Sequence, residues 1–202
     1  MKTKMIPYVC LVIFALFVFT SCATTTLTAV WRGESYAGPV KKMAVMGVSR
    51  KPVIRNLFED ECVRELRARG TDAVASYTVL SFEQLANREA VQTKIREMGA
   101  DAVLMTRLVD TKSVQTYIPG QVYVMPSYYY GWGGYYGNVF ATPGYTVQDE
   151  YAFLETNVYD VKTEQLIWSA RSETWMSDND QGTIKSFIGV IIARLAADKI
   201  IQ

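Results

Sequence analysis

Apolar and polar positions alternate along this chain in two periods, and each period predicts a different element. Lys42 to Val48 (KMAVMGV) is a short apolar run closed by Ser49 and Pro52, which predicts a buried strand. Ile54, Leu57, Phe58, Cys62, Val63 and Leu66 then recur at three and four, the stripe of an amphipathic helix, with Gly70 as its stop. The cycle repeats. Asp72 to Tyr77 reads as a second strand, and Ser81 with Gln84 as a capping box. Leu85, Val91, Ile95 and Met98 mark helical turns with a break near Asn87, and Gly99 ends them. Ala102 to Val109 is a third, mostly apolar strand. Strand–helix–strand–helix–strand predicts a parallel sheet with right-handed crossovers.

The second half changes period. Tyr145 to Val161 and Gln165 to Met176 are two long strand-like segments joined at Lys162-Thr163-Glu164, a hairpin. Ala152, Leu154, Thr156 and Val158 share one face of the first; Leu166, Trp168 and Ala170 share one face of the second. From about Asp180, Ile184, Phe187, Ile188, Ile191, Leu195 and Ile200 form the stripe of a C-terminal helix. The expected fold class is α/β. It has a mixed five-stranded sheet, three strands parallel and two in an antiparallel hairpin, with helices on both faces.

The N-terminus has a different pattern. Lys2 and Lys4 precede fourteen uncharged residues, Ile6 to Phe19, and the run closes on Phe19-Thr20-Ser21-Cys22. That run falls short of the roughly 20 apolar residues of a membrane-crossing helix, and its three-part order is that of an export leader. Small residues before a cysteine suit lipoprotein processing, so residues 1–21 are expected to be removed and Cys22 lipidated. Phe19 departs from the Leu usual in such a lipobox. An ordinary secretory leader with an incidental cysteine is the alternative. Residues 22–40 then hold the lipid site, a polar tether through Thr24, Thr25, Thr26 and Thr28, and the first ordered segment from near Val30. Residues 41–202 form a single domain.

Composition narrows the partners. Two of the 21 basic side chains leave with the leader, so 19 stand against 20 acidic ones, and the charge balance offers no case for nucleic acid. Cys10 also leaves, and lipid on Cys22 leaves Cys62 without an intramolecular partner; it reads as a small core residue.

Three stretches resemble a family of bacterial outer-membrane lipoproteins whose biochemical role is mostly unassigned. They are Phe58-Glu59-Asp60 with Gly70 and Ser76-Tyr77; Gly99 to Leu104 (GADAVL); and Tyr159 to Lys162 (YDVK) leading into Leu166 to Ala170 (LIWSA). The element order is also similar to the curli secretion lipoprotein, the lipoprotein activator of penicillin-binding proteins, and the N-terminal domain of the Tol translocation protein. The resemblance spans about Lys41 to Ile201 and implies an envelope location. It carries no catalytic residue across.

Candidate chemistry is sparse. Histidine is absent, which removes histidine-based nucleophile pairs, zinc sites and general bases. The glycines Gly131, Gly133, Gly134 and Gly137 sit among tyrosines, with no lysine of a phosphate loop. Glu59-Asp60-Glu61 is interleaved with Arg55 and Arg64 and reads as a solvated, ion-paired helix face rather than a metal site. Asp149, Glu150 and Glu155 are carboxylates whose convergence sequence does not decide. No enzyme, cofactor or metal is expected.

The anomaly is residues 113–148, thirty-six positions without a charge, holding eight of the thirteen tyrosines. It reads as an insertion in the domain. Tyr128, Tyr129, Tyr130, Trp132, Tyr135 and Tyr136 are the candidate interaction residues, since Tyr and Trp join a broad apolar ring to a polar tip. A glycine-rich insertion without a role, a surface for a protein or carbohydrate, and insertion into a bilayer all fit. Prolines 119, 126 and 143 oppose a regular membrane-crossing hairpin. The expected function is a non-enzymatic binding or assembly module. It is tethered by lipid to the periplasmic face of the outer membrane, since Ala23 rather than Asp follows Cys22, and its partner is an envelope protein or polymer. The alternative is an oligomeric secretion or pore component that inserts the Tyr-rich loop. A hydrolase with unrecognised carboxylates is a minor one.

Overall fold

A computed structural model describes residues 24–33, 36, 38–81, 83–120, 122–124, 139–141 and 143–202. The strands are β1 (Thr25–Arg32), β2 (Lys42–Val48), β3 (Asp72–Ala75), β4 (Ala102–Ile118), β5 (Val122–Val124), β6 (Val139–Ala141), β7 (Tyr145–Asp160) and β8 (Leu166–Met176). The α-helices are α1 (Pro52–Ala68), α2 (Arg88–Glu97) and α3 (Asp180–Ala197). The main sheet runs β1-β8-β7-β4-β2-β3, and β5 pairs with β6.

The parallel trio and the antiparallel hairpin form as the periodicity predicts, with β2 parallel to both β3 and β4 and β7 antiparallel to both β4 and β8. The chain leaves β2 to one side for β3 and returns past it for β4. Two crossovers of one hand must then place their helices on opposite faces. One face accordingly packs α1 and α3 (Phe58, Cys62, Leu66, Ile188, Ile191, Leu195) onto Met43, Val45, Leu104, Val158 and Trp168. The other packs α2, through Ile95 and the half-buried Val91, onto Ala44 and Met46. Alternate residues of β2 thus feed both cores, which is why the strand reads as an unbroken apolar run.

The sheet has six strands rather than five. Thr25–Arg32 had read as a tether with order only from near Val30, yet from Thr25 onward it pairs antiparallel with β8. Threonine suits an edge strand, and the buried hydroxyls of Thr25 and Thr174 meet at 3.0 Å. Other boundaries shift for local reasons. β3 stops at Ala75, and Ser76–Thr78 turns as a 3-10 helix. Ser81 and Gln84 do form the reciprocal box, but around the short 3-10 turn Glu83–Ala86, while Asn87 caps α2 by accepting from the Ala90 amide at 3.1 Å. An irregularity between Val158 and Tyr159 puts Ile167 as well as Trp168 into the core, and leaves Leu166 half-buried.

Cys62 is buried and free, and burial pushes its thiol up, first by desolvation and then by the carboxylates of Glu59, Glu61 and Glu65. At the β7–β8 turn the Thr163 amide and hydroxyl donate to Asp160 at 2.7 and 2.8 Å. Burial alone would raise that carboxyl; these bonds hold it below its ordinary value.

Candidate functional site at the ribbon end

β4 and β7 are 17 and 16 residues long and outrun the rest of the sheet. β8 stops at Met176, opposite Glu150, which in turn faces Ser113. Beyond that row, among the described residues, β4 and β7 continue alone as a two-stranded ribbon to Ile118 opposite Tyr145. The β5–β6 pairing, Val122 with Ala141 and Val124 with Val139, keeps the same register after a break at Pro119 and Pro143. Proline lacks the ladder donor, so the break falls where pairing would be lost. The charge-free segment 113–148 therefore begins and ends inside strands, and part of it is paired. Tyr128, Tyr129, Tyr130, Trp132, Tyr135 and Tyr136 lie outside the described residues, as does Cys22.

A bulge between Leu108 and Asp110 sets which way the ribbon's side chains point. Past it, Val114, Thr116 and Ile118 face the same way as Val147 and Tyr145, while Ser113, Gln115, Tyr117, Thr146 and Gln148 share the other face. Tyr117 and Tyr145 are 66% and 59% exposed, far too much for core residues. At the ribbon's base Tyr151 stands opposite Trp175, whose indole Nε1 donates to Asp149 at 3.0 Å.

The N-terminus enters at this same end. Thr24 donates its amide to Ser186 Oγ at 3.1 Å and accepts from the Trp175 amide at 2.9 Å. Both bonds fix the chain two residues after Cys22.

Beside it, on the α1–α3 face, lies a cleft of about 570 Å³. On the sheet side it is lined by Leu108, Ala152, Leu154 and Met176. Ile54, Phe58, Ile184 and Phe187 wall the cleft, with Arg50 and Lys51 at its mouth. Sequence reasoning missed it. The signal was the loop between β2 and α1, because ligands of such sheets gather at the carboxyl ends of parallel strands.

Arg55 and Gly47 in the lining belong to a buried ionic cluster around Glu59, which turns inward, whereas Asp60 is exposed as the expected solvated face requires. Glu59 is wholly buried, and Arg55 nearly so. One carboxylate oxygen of Glu59 accepts from Arg55 Nε at 2.9 Å, the Gly47 amide at 2.9 Å and Ser76 Oγ at 3.0 Å; the other accepts from the Tyr77 amide at 2.8 Å. Arg55 also donates to Ser76 Oγ at 2.9 Å. Helical spacing puts residues 55, 59, 62 and 66 on one stripe, so these two charges face the sheet with Cys62 and Leu66. The expected pairing of Glu61 with Arg64 does form, with Glu61 nearly buried and Arg64 exposed.

The remaining carboxylates do not converge. Glu155 pairs with Arg107 at 2.7 Å, and that bond holds its carboxyl below its ordinary value. Asp149 lies six residues away on the same face, about 20 Å along the strand, and Glu150 faces the opposite side. No group of three or more His, Cys, Asp or Glu able to hold a metal occurs among the described residues. No described helix is long and apolar enough to cross a membrane.

No family model and no curated protein matches the chain. Among solved structures it is similar to the PelC dodecamer from Paraburkholderia phytofirmans in two structures. Both are 15% identical and cover 88% of this chain and 99% of that one, at TM-scores of 0.47 and 0.48. It is also similar to the lipoprotein GNA1162 from Neisseria meningitidis, at 12% identity and a TM-score of 0.41, covering 77% of this chain and 98% of that one.

Proposed function

We propose that this protein is a non-enzymatic lipoprotein of the cell envelope, held by acyl chains on Cys22 to the periplasmic face of the outer membrane. It presents the ribbon end of its α/β domain as a binding or assembly surface. The observation that carries this reading is the start of β1 at Thr25, three residues after the lipid site. Such a linker spans at most about 10 Å, so the acyl chains bring the ribbon end against the membrane rather than letting the domain roam on a tether. The leader, the lipobox and the resemblance to outer-membrane lipoproteins point the same way.

Cys22→Ser is expected to yield a chain that takes up no labelled fatty acid and leaves the membrane fraction. Labelling and membrane association that both persist would overturn the anchor. Fractionation of the unaltered protein with inner-membrane markers would overturn the outer-membrane placement.

The tyrosines of the charge-free segment are proposed as the interaction surface. Changing Tyr129, Trp132 and Tyr135 together to Ser is expected to abolish co-purification of envelope partners without moving the melting temperature. Loss of apolar area from an interior would lower it. Unchanged binding and unchanged melting would remove the segment as a site.

A second reading, an oligomeric secretion or pore component, draws on the ribbon itself. An unpaired two-stranded ribbon has open edges, and neighbouring copies in a ring would close them. A closed ring in detergent supports this reading; a monomer overturns it.

A further inference from the structure

We propose that the apolar face of the β4–β7 ribbon is a second membrane attachment, its partner being the lipid bilayer that holds the acyl chains of Cys22. The proposal rests on the lipid reading above and names what the ribbon meets. Its basis is direction and reach. Thr25 lies opposite Thr174, Thr174 opposite Ala152, and Ala152 opposite Thr111, so the four form one row across the sheet. Each of those pairings is antiparallel. Moving back along β1, from Thr26 through Thr25 to Thr24, is therefore the same direction as moving out along β4 from Thr111 to Ile118, and Cys22 is two residues further back in the chain.

The two excursions differ in length. Cys22 lies at most about 10 Å beyond the row. Ile118 is seven strand residues beyond it, about 23 Å. The ribbon thus overshoots the lipid site by more than the lipid site's own reach. With the acyl chains in the membrane, a domain standing on this end must put the ribbon into the lipid, and one lying down must lay it along the surface.

The chemistry of the ribbon fits that position. Its strand residues 113–118 and 145–148 hold no charge, the nearest being Lys112 and Asp149 at the base. Val114, Ile118, Val147 and Tyr145, with Thr116 among them, make one face predominantly apolar above Asp149 at its base, and the opposite face carries Ser113, Gln115, Tyr117, Thr146 and Gln148. Where the ribbon leaves the sheet, the cross-strand pair Trp175 and Tyr151 stands on the same side as the apolar face. Tryptophan and tyrosine favour the headgroup layer, so an aromatic base below an apolar stem matches the order of a membrane boundary. In water the same face would leave exposed apolar area and open strand edges.

The test uses the full chain, acylated in its host and reconstituted into phosphatidylethanolamine–phosphatidylglycerol vesicles that contain nitroxide-labelled lipid. An environment-sensitive fluorophore is placed at Ile118→Cys, and in a separate sample at Lys162→Cys, in the β7–β8 turn at the far end of the sheet. Cys22 is blocked by lipid, and Cys62 is buried with its thiol pushed up, so neither competes for label. Ile118 is outside the core, and labelling there spares the fold. The expected result is a blue shift and several-fold stronger quenching at position 118 than at 162. Equal, background quenching at both sites in acylated, vesicle-bound protein overturns this proposal alone. Absence of acyl mass together with absence of vesicle binding overturns the lipid reading, and the proposal with it.

Discussion

Arg55→Ala is expected to destabilise the domain by about 3–5 kcal/mol, read as a lower urea midpoint at unchanged slope. The size follows from what the substitution leaves behind. Arg55 and Glu59 are both withdrawn from water, and the carboxylate would lose its charged partner while remaining enclosed. A buried pair is no large source of stability when intact, but half of one is costly. Replacing both residues with apolar ones is not expected to restore the loss. Glu59 also accepts the amides of Gly47 and Tyr77, and those donors would be orphaned at about 1–3 kcal/mol each if buried. The cluster joins the ends of β2 and β3 to α1, so the same variant should loosen the wall of the neighbouring cleft. A change below about half a kcal/mol in Arg55→Ala would show that water reaches Glu59.

Leu66→Ala and Ile191→Ala are each expected to cost about 2–5 kcal/mol, measured by the same denaturation. Both side chains are buried under the α1–α3 layer, with 0% and 2% of their surface exposed. Truncation removes their transfer energy and leaves a cavity, because α1 and α3 are braced against each other and cannot both close in. Phe58 and Phe187 are part of that brace, with ring centroids 6.2 Å apart. Trp168, wholly buried beneath and donating from Nε1 to Asp198 at 2.8 Å, offers a fluorescence signal for the transition. Effects under about half a kcal/mol at both positions would mean the stripes were assigned to the wrong face.

Sequence by itself determined the features whose cause is local. The stripes of α1 and α3, the apolar run of β2 and the hairpin at Lys162-Thr163-Glu164 are set by side-chain period and turn chemistry within a few residues. The expectation of a leader and of a lipidated cysteine after it likewise rests on pattern along the chain. Sheet membership of the Thr-rich start was not local. β1 is held by a ladder to β8, some 140 residues on, and its polar composition resembles a tether until that partner is known. The burial of Glu59 was half legible, since its spacing with Cys62 and Leu66 put it on the inner stripe. Its acceptance of bonds from Gly47, Ser76 and Tyr77 depended on where two strand ends meet. The charge-free segment announced itself by composition, but not its partial pairing. Least legible was that the start of β1 and the ribbon share one end of the sheet. That follows from three successive antiparallel pairings, β1 with β8, β8 with β7 and β7 with β4, and direction across a sheet is a property of tertiary pairing that no single stretch of chain encodes.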